Sequence, residues 1–406
     1  MSEWNSTSIQ ELVNHRKGYA FKSSWYNEQG SEIIVRVSDT TKDSINITTC
    51  HRVEKELVKG LDNYTLKTND VIIATVGSWA DNPLSIVGKV IKVPSRANGA
   101  YLNQNAVRLR ANHLITQSFL YYSLKNTAFS EYLLNNAQGS ANQASITLKD
   151  IFAYTLLLPP LPEQKAIASV LSSLDDKIDL LHRQNKTLES IAETLLRQWF
   201  ILDVTGVSVS IDQVIDFNPK RTLTKSQDAT YLDMAGLSTD IFRATGYYKR
   251  RFSSGTKFTK QDTLLARITP CLENGKAAYI DFLDDNETGW GSTEFIVMRP
   301  KKEIHPLVSY IMCRNPDFKE YAESCMEGST GRQRVNLDHL KKFSVNLPSV
   351  ATLGMLNELL DSFESRLINN SQQIDSLENL RDTLLPKLMS GEVQVRYAEE
   401  EISAVA

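Results

Sequence analysis

Arginine, glutamine and asparagine can grip a purine edge with two hydrogen bonds at once, and they gather here in two glycine-punctuated loops. One loop reads Gly328-Ser329-Thr330-Gly331-Arg332-Gln333-Arg334, the other Gly139-Ser140-Ala141-Asn142-Gln143-Ala144. Glycine beside serine also lets backbone approach a phosphate oxygen. Arg332, Gln333 and Arg334 are therefore the candidate base readers of one loop, and Asn142 with Gln143 those of the other. Lys249, Arg250, Arg251, Arg267 and Thr269 add charge and polarity around the first loop. Lys22, Ser78 and Asn82 stand in matching stretches around the second. The same loops serve equally well as plain connectors, so residue type alone leaves both readings open.

Motifs for catalysis are missing where they would have to be. An amino-methyltransferase loop needs Asn or Asp, two prolines and an aromatic in succession; Phe217-Asn218-Pro219-Lys220 and Asp81-Asn82-Pro83-Leu84 lack the second proline and the aromatic. Glu163-Gln164-Lys165 has the tripeptide form of a metal-dependent nuclease, but it sits where a helix begins and where glutamate is favoured by the helix dipole. No phosphate-binding G-x-x-x-x-G-K-[ST] loop and no G-x-S-x-G elbow occurs. Cys50, Cys271, Cys313 and Cys325 have no C-x-x-C spacing, so they read as reduced thiols, with no metal site. No catalytic residue is assigned.

The elements that must position the loops are written twice. Phe129-x-Glu131-Tyr132 recurs as Phe318-x-Glu320-Tyr321, Ile146-Thr147-Leu148 as Val335-Asn336-Leu337 and Leu158-Pro159 as Leu347-Pro348, all at one constant offset, the step that takes Phe129 to Phe318. Such a repeat predicts two similar lobes. In the first, strands are expected near Glu32 to Val37, Val71 to Val76, Leu84 to Val93 and Ala106 to Leu109, with a helical stretch from Thr116 to Asn135. Asp262 to Ala266, Glu294 to Ile296 and the helical stretch Leu307 to Met326 answer them in the second. The fold class is α+β, with two α/β domains in a pseudo-twofold repeat.

Each copy runs into a long helical pattern. Pro159-Pro160-Leu161-Pro162 is a stiff stop and helix start, after which Ile167, Leu171, Leu174, Ile178, Leu181, Leu188 and Leu195 form a heptad seam broken at Asn185 and Ala192. The second seam runs Leu356, Leu360, Phe363, Leu367, Ile374, Leu377, Leu384, Leu388, broken at Asn370 and Arg381. Aligned antiparallel with Ile167 opposite Leu388, the two seams stay in phase, and Asn185 then meets Asn370. A buried asparagine answered by another fixes register, so an antiparallel pair with an Asn layer is expected. The competing reading leaves both asparagines at the solvent edge. Helices of about 33 residues would span roughly 50 Å, enough to separate two lobes by about one turn of duplex. The predicted domains are 1–158, a central helix and linker at 159–206, 207–347, a distal helix at 348–392 and an acidic tail at 393–406.

With 406 residues, 41% of them hydrophobic and 23% charged, the chain suits a folded protein of two domains. Its net charge of −3 hides a partition, because the acidic excess lies beyond residue 346 and both lobes carry a small positive balance. That permits a polyanionic partner without requiring one. No apolar run reaches the length of a membrane span and Met1 to Gln10 is polar, so a cytoplasmic chain with no membrane partner is expected.

These residues resemble the specificity subunit of type I restriction-modification enzymes. The resemblance covers essentially the whole chain and is carried most specifically by Leu158-Pro159-Pro160-Leu161-Pro162-Glu163-Gln164 and by Leu384-Leu385-Pro386-Lys387-Leu388-Met389-Ser390-Gly391-Glu392. Gly18 to Ser23, Ile268 to Lys276 and Gly291 to Phe295 are similar to stretches of the family's recognition domains. The resemblance implies two target-recognition domains reading the halves of a bipartite site on double-stranded DNA. It also implies helices that dock two methyltransferase (modification) subunits, with restriction/translocase subunits joining them. S-adenosylmethionine, ATP and Mg2+ would then belong to those partners, none to this chain. The pattern fails at Leu347-Pro348-Ser349-Val350-Ala351-Thr352, where Pro-Glu-Gln is missing. A coiled-coil scaffold for proteins, or a DNA-binding regulator without enzyme partners, remains the alternative. A bifunctional restriction system with a similar specificity chain would differ only in its partners.

Overall fold

Val71–Ala74 is buried along its whole length, as expected for a strand at the centre of a sheet with both faces covered. In the computed structural model, which describes residues 4–41, 43–79, 86–140, 143–203, 205–239, 241–329 and 331–396, this strand lies between Ala106–Ala111 and Val90–Lys92. Val13–Lys17 completes the four-stranded sheet. A second sheet of the first lobe places Glu32–Val35 between His51–Val53 and Tyr101–Leu102, the latter pairing parallel. The first and last strands, Asn5–Ser8 and Thr155–Leu158, pair with each other and close the lobe.

The second lobe repeats this topology. Its four-stranded sheet runs Ile215–Phe217, Phe295–Pro300, Thr263–Ala266, Ala277–Tyr279, and Val207–Ser210 pairs with Ser344–Leu347. Tyr231 pairs parallel with Trp290 as Ile34 does with Tyr101. The constant repeat step carries Tyr101 to Trp290, Ala111 to Pro300 and Leu158 to Leu347. One difference is an additional edge strand, Thr256–Thr259, whose place in the first lobe is held by the single bridge Thr65 to Tyr101.

An ion pair is duplicated with the strands. Arg110 Nε donates to buried Asp70 at 2.7 Å, and Arg299, its counterpart in the repeat, donates to buried Asp262 at 2.6 Å. Each aspartate also accepts a backbone N–H of the preceding turn, from Lys67 and Thr259, both at 2.7 Å. Removing Arg110 would leave Asp70 buried without its counter-charge, whereas Asp262 would keep a second partner in Arg221, at 3.2 Å.

The two aromatic helical stretches are each broken in the middle, which the continuous apolar pattern conceals. Gln117–Lys125 and Thr127–Asn136 meet at extended Asn126, whose side chain caps the second helix by accepting from Ala128 N. Asn315, the repeat counterpart of Asn126, does the same for Phe318 N, between Leu307–Arg314 and Pro316–Ser324. Pro316 enforces the break, since it disfavours helical geometry in the residue before it.

The central helix runs Leu161–Leu196 and the distal helix Val350–Ser390, and the chain divides into two compact units, 1–177 with 376–406 and 178–375. Each unit holds one lobe with a segment of both helices. In the first unit the helices run antiparallel: Trp4 Nε1 donates to Glu163 and its ring lies against Gly391, while Arg381 Nη1 donates to Asp175 at 3.0 Å. In the second unit Asn370 Nδ2 donates to Asn185 Oδ1 at 2.8 Å. Asn185 is buried and reaches Ser371 Oγ as well, at 3.4 Å, so the polar layer has three members.

The seam departs from the heptad rhythm at the end of the central helix. Ala192, Leu196 and Phe200 are buried at four-residue spacing and Leu195 is only half-buried. Here the helix leaves the two-helix seam and packs into the second lobe's core with Ile211, Phe318 and Leu340, then loosens into a π-helical turn at Arg197–Leu202. The 3.5-residue period belongs to a two-helix contact and has no reason to persist against a lobe.

Candidate nucleic-acid interface

Each lobe carries its predicted contact residues in two groups. In the second lobe, Arg267, Thr269, Gln333 and Arg334 come together because the segment 267–269 pairs with the end of the polar loop. Thr269 N donates to Gln333 O at 3.2 Å, Gln333 N to Thr269 Oγ1 at 3.1 Å, and Arg267 Nη2 to Val335 O at 2.9 Å. Arg334 is held bidentately by Glu294, at 2.6 and 3.0 Å. That hydrogen bond keeps the Glu294 carboxyl below its ordinary value. Arg334 is thus already partnered, whereas exposed Arg332 has no side-chain partner among the described residues.

Lys249, Arg250 and Arg251 form the second group, on the edge strand Tyr248–Arg251, whose four residues are all exposed. Arg250 lies over Tyr231 at 4.8 Å and over Trp290 at 5.5 Å, so its guanidinium is presented on an aromatic bed. Lys249 is paired with Glu287 at 2.5 Å, and Arg251 faces Asp228 at 3.8 Å where both are exposed. Burial opposes the ionisation of Glu287, but hydrogen bonds from Lys249 and Thr230 outweigh it and leave its carboxyl below the ordinary value.

In the first lobe, Ser78 and Gln143 share one polar ribbon. Gln143–Ser145 pairs with Gln138–Ser140 and with Val76–Gly77, Ser78 bridges to Ile86, and Trp79 Nε1 donates to Ser140 O at 2.8 Å. Gly139 is required there, because a Cβ would fall 2.0 Å from Gln143 O; Gly328 holds the same repeat position with φ of 122°. Lys22 lies apart, over Trp25 at 5.7 Å, beside an aromatic group of Tyr19, Phe21 and Tyr64, with Arg16 over Tyr64 at 5.8 Å. Asn82 and Asn142 lie outside the described residues.

The aromatic supports were missed in the sequence reading. The Lys22 support had a local signal, Trp25 three residues on, whereas the Arg250 supports, Tyr231 and Trp290, come from other strands and had none. An arginine stacked on Trp or Tyr offers a planar face and in-plane donors together. Among the described residues one group could converge on a metal, His305, Asp361 and Glu364. These side chains already satisfy one another, His305 Nε2 meeting Asp361 at 3.0 Å and Glu364 at 3.3 Å.

A family model for the type I restriction modification DNA specificity domain matches residues 1–190 and again 205–379. The chain belongs to that family. The double match falls on the two lobes with their helices. Among individual relatives, the type I restriction enzyme MjaIX specificity subunit of Methanocaldococcus jannaschii is 25% identical over 339 residues, covering 69% of this chain and 70% of its own. The EcoEI specificity subunit of Escherichia coli is 27% identical over 207 residues, 47% of this chain. The match spans about a third of that subunit's length, 34%. The crystal structure of a type I restriction-modification system S subunit from M. genitalium superposes with a TM-score of 0.54 at 17% identity, covering 95% of this chain and 96% of that one. This likeness shows the specificity-family fold. No helix among the described residues is long and apolar enough to cross a membrane.

Proposed function

We propose that this chain is the non-catalytic specificity subunit of a type I restriction-modification complex and reads an asymmetric, two-part site on double-stranded DNA. The observation that carries the reading is the residue-level duplication of the frame beside the divergence of the exposed polar faces. Strand ends, the Asp70–Arg110 and Asp262–Arg299 pairs and the Asn126 and Asn315 caps repeat, while Lys249-Arg250-Arg251 and Arg332-Gln333-Arg334 have no like-for-like counterparts. A repeated frame with different faces suits two different half-sites. Lysines and arginines would supply salt-dependent attraction to phosphate, and Arg332, Gln333, Gln143 and stacked Arg250 would supply base contacts.

The helices would dock two methyltransferase subunits, with restriction/translocase subunits joining them. Exposed Leu161 and Val350, one repeat step apart at the start of each long helix, suit like surfaces for like partners. Adenine methylation and ATP-driven cleavage, with S-adenosylmethionine, ATP and Mg2+, would belong to those partners in the cytoplasm. Selection of bound duplexes from a random-sequence pool by the full chain tests the reading. A motif of two unlike halves separated by unspecified bases is expected, and recovery of unrelated sequences would overturn it.

A further inference from the structure

The second copy lacks the Pro-Glu-Gln of the first, yet the task of that glutamine is still done. Gln164 is buried, and its carboxamide accepts from Thr116 N at 2.9 Å and donates to Leu114 O at 3.0 Å and to Pro159 O at 2.9 Å. It thereby ties the loop before the lobe's helix pair to the first turn of the central helix. One repeat step onward, Thr116 becomes His305, Leu114 becomes Glu303 and Gln164 becomes buried Leu353, which has no amide to offer. One turn further along the distal helix, on the same face, Asn357 accepts from His305 N at 3.1 Å and donates to Glu303 O at 2.9 Å. Two backbone groups at equivalent positions are thus held by a primary amide in both units, although the residue type and its place in the repeat have changed.

Plain satisfaction of buried polar groups explains a partner for each of these atoms, but not the same pair of atoms held by one side chain twice. An amide that accepts and donates in one plane fixes orientation as well as distance. Resting on the function proposed above, we propose that Gln164 and Asn357 are positioning residues: latches that set the angle at which each lobe leaves its long helix, and so the number of bases between the half-sites. Neither touches DNA in this scheme. Loss of a latch changes the tolerated gap and leaves the half-site bases as they were.

The test uses the full chain, its Gln164→Leu and Asn357→Ala variants, and a pool of random-sequence duplexes long enough for two half-sites. Wild type is expected to return one gap length. The variants should return the same half-sites with adjacent gap lengths recovered about tenfold more often, which corresponds to a modest loosening of orientation. A gap distribution as sharp as wild type in both folded variants overturns the proposal. Should Gln164→Leu fail to fold, Asn357→Ala decides alone, since Asn357 is only half-buried. If wild type returns no two-part motif, the functional reading fails. The latch is then judged by amide exchange at Thr116 in Gln164→Leu and at His305 in Asn357→Ala: acceleration of about tenfold supports it, and unchanged exchange overturns it.

Discussion

Arg332 and Arg334 sit close together in one loop, and their surroundings assign them different work. Arg334 is committed to Glu294, while Arg332 is exposed and without a side-chain partner among the described residues. Arg332→Ala should therefore relax one position of one half-site, costing about 1–3 kcal/mol there and nothing in the other half, as read by competition binding. Glu294→Gln should instead release Arg334 and tighten binding across sequences alike. Burial opposes the ionisation of Glu364, but hydrogen bonds from His305 and Tyr279, with Gln261 also facing it, outweigh that and hold the carboxyl below its ordinary value. A carboxyl lowered in the folded state stabilises fully above its unfolded value and stops doing so as pH falls through the folded one. Urea midpoints measured down through the carboxylate range should fall for wild type and fall less steeply for Glu364→Gln, since other lowered carboxyls such as Glu287 and Glu294 remain. Polar residue types were legible as candidates, but partnership was not. Nothing in the local sequence pairs Arg334 with Glu294, 40 residues away, or places Arg250 on Trp290.

The long helices were legible to the level of one hydrogen bond, because a heptad seam with a single asparagine on each side has few antiparallel registers that satisfy both. Asn370→Leu should leave the Oδ1 of buried Asn185 without its donor, while its Nδ2 keeps Ser371, and destabilise by about 1–3 kcal/mol. The double variant with Asn185→Leu should recover most of that loss in urea unfolding while weakening register. Ser371 escaped the reading because a serine within an apolar seam looks like surface. The helix breaks escaped too, since apolar residues continue across Asn126 and only the cap geometry reveals it. Asn126→Ala and Asn315→Ala should each lower stability by about 1 kcal/mol, measured as a shift in thermal midpoint. Similar losses would fit the same cap acting in both lobes; a loss at one alone would not.

At the scale of the molecule, the constant repeat step was the most legible feature and carried the topology of the later half of each lobe. Tyr101 to Trp290, Arg110 to Arg299, Asn126 to Asn315 and Leu158 to Leu347 keep it, whereas Asp70 and its strand reach Asp262 and its strand by a slightly longer step. The constant step could not show that Asn357 takes over from Gln164, since that replacement shifts by a turn and leaves the repeat. Nor could it show how each lobe shares its unit with segments of both helices, which is a matter of contact and not of order along the chain. Binding by a chain of this design should weaken steeply with added salt, as each neutralised phosphate releases counterions. The central claim, that one chain reads two different half-sites for enzymes docked on it, is tested most directly by mapping adenine methylation across a genome with and without the chain. One asymmetric motif with a fixed gap should be present with the chain and vanish without it. A motif that persists in its absence, or one that is continuous, would contradict the claim.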